Sequence, residues 1–74
     1  MKKRSVNILG HPTSITLEDE FWSELKKIAS DRDMSVTRLI AEIDEIRDKN
    51  RNLSSAIRVY ILKSLQKIVT AKAP

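Results

Sequence analysis

Hydrophobic and polar side chains alternate over Thr13-Ser14-Ile15-Thr16-Leu17, which puts Ile15 and Leu17 on one face and Ser14 and Thr16 on the other. That is the period of a half-buried β-strand, predicted at about residues 13–17. Pro12 precedes it, where a missing N–H does least harm. Upstream, Ser5-Val6-Asn7-Ile8-Leu9 reads as a second extended segment at 5–9, broken off by Gly10-His11-Pro12. The triplet is either a turn that folds this segment back as a hairpin or a bend in an N-terminal arm, and the pattern leaves both open.

The period then changes to that of helices. Glu18-Asp19-Glu20 opens one, since acidic side chains favour the positive end of the helix dipole. Phe21, Leu25 and Ile28 recur at helical spacing, widened by Trp22 and Ala29, and predict a helix over 18–30. Ser35 is a good N-cap for a second helix over 35–47, with Val36, Leu39, Ile40, Ile43 and Ile46 as its stripe. A third runs over 54–69, with Ser54 favoured as its cap and Ile57, Ile61, Leu65 and Ile68 recurring at helical spacing.

One strand and three helices make a mainly α chain. A lone strand cannot satisfy its own backbone, so it pairs either with the upstream segment or with the same strand of a second copy. The chain has only 74 residues. A domain of that size buries about 60% of its unfolded surface. With no cysteine and one histidine, neither disulfides nor a histidine-built metal site can staple the fold. A core shared across a two-fold dimer answers both problems, and is expected here.

Composition removes other classes. Hydrophobic residues are 41% and charged ones 32%, a globular balance. No apolar run approaches the roughly 20 residues of a membrane span. Met1-Lys2-Lys3-Arg4 is followed by no apolar stretch of the kind a secretory signal needs, so a soluble, cytoplasmic protein is expected. Gly10 is the only glycine, no nucleophile is paired with a base, and no cofactor or metal is called for; an enzyme is not expected. Glu18, Asp19 and Glu20 are consecutive and point to different helix faces, which suits dipole compensation better than catalysis. Trp22 falls on or near the apolar stripe, where packing explains it better than stacking on single strands.

Fourteen Lys and Arg against ten Asp and Glu give a net charge of +4. The excess lies in residues 38–74, with eight basic and four acidic side chains, while Lys2, Lys3 and Arg4 form a basic N-terminal arm within residues 1–12. Such a balance permits nucleic-acid binding without demanding it.

The stretch Thr-Ser-Ile-Thr-Leu-Glu-Asp-Glu-Phe-Trp-Ser-Glu-Leu-Lys-Lys-Ile-Ala at 13–29, followed by Met34-Ser35-Val36-Thr37-Arg38-Leu39-Ile40, resembles the ribbon-helix-helix family of bacterial DNA-binding dimers, the Arc and MetJ type. Lys3-Arg4-Ser5-Val6, Gly10-His11 and Asn52-Leu53-Ser54-Ser55-Ala56-Ile57-Arg58-Val59 look like a small bacterial subgroup of that fold with an added C-terminal helix. On this reading residues 13–74 form one domain behind the arm.

The resemblance implies a transcriptional regulator whose dimer inserts an antiparallel β-ribbon, one strand from each copy, into the major groove of double-stranded DNA. Base contacts then fall to Ser14 and Thr16. Phosphate contacts fall to Lys2, Lys3 and Arg4 and to the second helix's N-terminus at Ser35, Val36 and Thr37. Ile15, Leu17, Trp22, Leu25, Leu39 and Ile43 form the dimer core, and higher oligomers on DNA stay open. The sequence departs from the family's habit in one respect: Pro12, Ser14 and Thr16 lack the long amides and cations that read bases well. An alternative keeps the dimer as a protein-interaction module or antitoxin-like partner binder, docking a protein through the third helix.

Overall fold

The computed structural model describes residues 2–72, and side-chain surroundings for residues 2–67. The elements run β1 (Lys2–Ile8), β2 (His11–Leu17), α1 (Asp19–Asp31), α2 (Val36–Ile46) and α3 (Leu53–Lys72). The side chains of Ile68, assigned to the third helix's stripe, lie outside the described residues, as do residues 73–74 at the end of the expected domain.

The strand at 13–17 is longer than its alternation suggested, and it pairs with a strand of its own chain. β1 and β2 pair antiparallel in one chain, from Ile8 opposite His11 to Lys2 opposite Leu17. The turn is Leu9-Gly10, one position earlier than the Gly10-His11-Pro12 triplet. Both residues have positive φ, 50° and 84°. That is the two-residue turn whose twist matches the two strands it joins. It settles the choice left open by the sequence in favour of a hairpin. The basic arm is therefore strand: Lys2, Lys3 and Arg4 belong to β1.

Local chemistry sets the helix ends. Asp33, at φ 55°, ends α1 in the left-handed region, and the Met34 N–H reaches the Ala29 carbonyl at 2.9 Å, closing the last turn. Ser35 caps α2 as expected, its Oγ accepting the Arg38 N–H at 3.1 Å. The third helix is capped by Asn52 rather than Ser54: Asn52 Oδ1 accepts the Ser55 N–H at 2.8 Å. Both are good capping residues. Ser54 Oγ is engaged elsewhere, on the Thr16 N–H of β2 at 2.9 Å.

The hairpin lies against α2 and α3, with α1 completing the enclosure, and every inward apolar side chain meets the same cluster. Ile15, Leu17, Leu25, Leu39 and Ile57 are fully buried within the single chain. Ile15, Leu17, Leu25 and Leu39, expected in a core shared by two copies, are thus buried within one, where β1 pairs with β2 and α3 supplies a third wall. Trp22 is half-buried at its margin. Among the described side chains the last buried position on α3 is Ile61; beyond it Leu62 and Leu65 are exposed.

Candidate nucleic-acid interface

Strand period and pairing register together define the outer face of the hairpin. Residues facing the core are Arg4, Val6 and Ile8 on β1 and Thr13, Ile15 and Leu17 on β2. Those facing away are Lys3, Ser5 and Asn7, set opposite Thr16, Ser14 and Pro12 respectively. All six outward residues are exposed except Thr16, which is half-exposed. No large apolar side chain interrupts this face.

Ser14 and Thr16 stand where the alternation put them, on the outward face. Beside them β1 adds a long cation, Lys3, and a side-chain amide, Asn7. Asn can bond an adenine edge through two atoms, and Lys can reach the acceptors of guanine. Sequence reasoning did not place Ser5 and Asn7 beside Ser14 and Thr16, and took Lys3 for part of an arm. The polar period Lys3, Ser5, Asn7 was the available signal, but only the Leu9-Gly10 turn gives it a partner strand.

The edge of β2 is finished from inside the chain. With the turn closing on Ile8 and His11, the backbone groups of Pro12, Ser14 and Thr16 point away from β1. Pro12 therefore costs no ladder bond. At Thr16 the N–H goes to Ser54 Oγ, and the carbonyl accepts from the Arg58 guanidinium at 3.0 Å. Arg58 also bonds Glu18 Oε1 at 3.0 Å. A bond from its own backbone N–H, together with Arg58, holds the Glu18 carboxyl below the usual carboxylate range. Thr16 thus ties β2 to α3, and Arg58 carries the tie on to Glu18 at the cap of α1.

The predicted phosphate contacts separate into three places. Lys3 lies on the outer face, and Lys2 is exposed at the open end of the hairpin. Arg4 points the other way, its guanidinium 4.2 Å from the Trp22 ring centroid and 3.7 Å from Asp19. It ties β1 to α1 and does not share the outer face. Ser35, Val36 and Thr37 form the first turn of α2, where the Ser35 side chain is used by Arg38 and the depression in front is lined by Lys26, Ser30 and Met34. Ser14 and Ser35 line different depressions, so these two expected contacts are not brought into one site.

Among the described residues no helix is long and apolar enough to cross a membrane, and no group of three or more histidines or carboxylates is placed to hold a metal ion. A family model for the ribbon-helix-helix domain matches residues 1–65 of the chain. No curated protein and no solved structure matches it.

Proposed function

The chain belongs to the ribbon-helix-helix domain family, whose members are typically DNA-binding regulators, and on that footing we propose that it is a transcriptional regulator that lays its own β-hairpin in the major groove. The observation that carries this reading is the outer face of the hairpin, polar along both strands while the opposite face packs into the core. A major groove about 12 Å wide admits a two-stranded ribbon. Asn7, Ser14 and Thr16 contact base edges, with Lys3 bonding a base or an adjoining phosphate. The first turn of α2, at Ser35, Val36 and Thr37, takes a phosphate through its free amides and the helix dipole.

Two copies act together on the DNA, in keeping with the family's general habit of binding as dimers. Ile15, Leu17, Leu25 and Leu39 are already buried within one chain. The site of action is the bacterial cytoplasm, where the DNA is. The exposed Leu62 and Leu65 favour a second reading, a protein-interaction or antitoxin-like module docking through α3.

Duplex titration separates the two. Asn7→Ala or Thr16→Ala is expected to weaken the preferred site by about 1–3 kcal/mol, with the hydroxyl at the lower end, and to leave random duplex nearly unchanged. If the wild-type protein binds no duplex at low salt, the DNA reading is wrong and the α3 module stands in its place.

A further inference from the structure

The sequence between α2 and α3, Arg47-Asp48-Lys49-Asn50-Arg51-Asn52, reads as a place where an apolar stripe fades. Folded, it lies beside the ribbon. Thr13 and Ser14 of β2 form one wall of an open depression of about 510 Å³, and the opposite wall is this loop, with Arg47, Lys49, Asn50 and Arg51 among its residues. We propose that the loop is a second duplex-binding element, a clamp in which Lys49 and Arg51 hold the sugar-phosphate backbone that borders the groove occupied by Ser14.

The charges of this loop are not equivalent. Arg47 is committed within the protein: its Nε bonds Asp44 Oδ1 at 2.7 Å and its guanidinium donates to the Arg51 carbonyl at 2.7 Å. Asp48 is also occupied, its Oδ1 accepting the Asn50 N–H at 2.9 Å and its carbonyl the Arg51 N–H at 3.0 Å. Lys49 and Arg51 are exposed, and among the described residues neither side chain has an ion-pair or hydrogen-bond partner. The loop's internal bonds fix the backbone that carries two cations and leave those cations unspent.

Position gives them a ligand class. A ribbon in the groove has the phosphates of both DNA strands along its flanks, and contacts there set register without reading sequence. On the β2 flank this depression is lined, besides Thr13 and Ser14, by the loop and by Leu53 and Ser54 at the start of α3, and its cations all come from the loop. The ligand is the backbone of the same duplex that the outer face would read, so the inference rests on the proposed function and adds to it a source of affinity outside the ribbon.

The test uses the full chain carrying Lys49→Ala and Arg51→Ala together, titrated against preferred and random duplex over about 50 to 200 mM salt. Both side chains are exposed and unpaired, so the fold is expected to survive, which circular dichroism verifies. A control removing equal charge from α3, Lys63→Ala with Lys67→Ala, runs beside it, as does Asn7→Ala. The loop variant is expected to bind every duplex at least about tenfold more weakly, to keep full discrimination, and to flatten the log–log salt slope by about 0.9 for each lost contact. The clamp is overturned if that variant keeps wild-type affinity and slope, if the α3 control weakens as much, or if discrimination is lost instead of general affinity. In those cases loss of discrimination by Asn7→Ala would leave the ribbon reading standing. If the wild-type protein binds no duplex, both fall together.

Discussion

The hydroxyl of Ser54, in the first turn of α3, accepts the backbone N–H of Thr16 in β2 at 2.9 Å, across 38 residues of sequence. It closes the strand edge where a neighbouring strand would otherwise bond. The helix itself does not need that hydroxyl, because Asn52 already caps it.

Removing it isolates the tertiary bond. Ser54→Ala leaves the cap in place and strands a half-buried N–H, a loss of about 1–2 kcal/mol. Asn52→Ala removes the cap and costs about 1 kcal/mol by a different route. Urea unfolding of both single variants and the double variant gives the comparison, and near-additive losses are expected.

The difference between Asn52 and Ser54 also marks where reading the sequence stops. Ser35 was legible as a cap because nothing distant competes for it. At α3 two adequate caps lie two residues apart, and the choice is made by Thr16, whose position is a matter of tertiary structure. The α1 and α2 stripes were legible for the same local reason, except at Ile46, which the α2 stripe included and the fold leaves 68% exposed. The hairpin was not: Leu9 must adopt a positive φ that leucine rarely takes, so the chain's one glycine looked like the start of the turn rather than its second half. With β1 unpaired in the reading, Asn7 had no neighbouring strand, and Ile15 and Leu17 needed a second copy to cover them.

The turn should therefore respond to substitution in opposite directions at its two positions. Leu9 is 85% exposed with φ 50°, so Leu9→Asn removes little packing and suits the backbone better. It should gain about 0.5–1 kcal/mol. At Gly10, with φ 84°, an added Cβ meets nothing within 4 Å. Gly10→Ala should nevertheless lose about 1 kcal/mol, from backbone strain alone. Denaturation midpoints check both.

Acid should weaken the ties made by Glu18 and Glu42. The Arg32 hydrogen bond holds the Glu42 carboxyl below its ordinary value, as Glu18's own backbone N–H and Arg58 do for Glu18. A lowered folded value means the stabilisation is complete above the usual carboxylate range and is lost as pH falls through the folded one. Unfolding followed from about pH 6 to pH 3 should show a shallower decline for Glu42→Gln and for Glu18→Gln than for the wild type. Both side chains are 41% exposed, so each difference is expected to be small.

Ile15 gives the sharpest core test. It is fully buried beneath Ser14 and Thr16 of the outer face. Ile15→Asp places a charge among aliphatic side chains, at a cost of several kcal/mol, and should abolish the folded far-ultraviolet circular dichroism spectrum. Ser14→Ala, one residue away on the opposite face, should leave that spectrum unchanged.

The two-residue link between Ile8 and His11 also fixes the order of events when the chain folds. Strands joined this closely meet by local search, on a scale of about 1–10 μs. That step is first order. A ribbon with one strand from each of two chains would have to wait for an encounter, and would form more slowly in dilute solution. Refolding from denaturant should therefore restore the ribbon and core at a rate that does not change with protein concentration. Any slower phase that speeds up with concentration would then time the meeting of finished chains, after each has built its own ribbon and core.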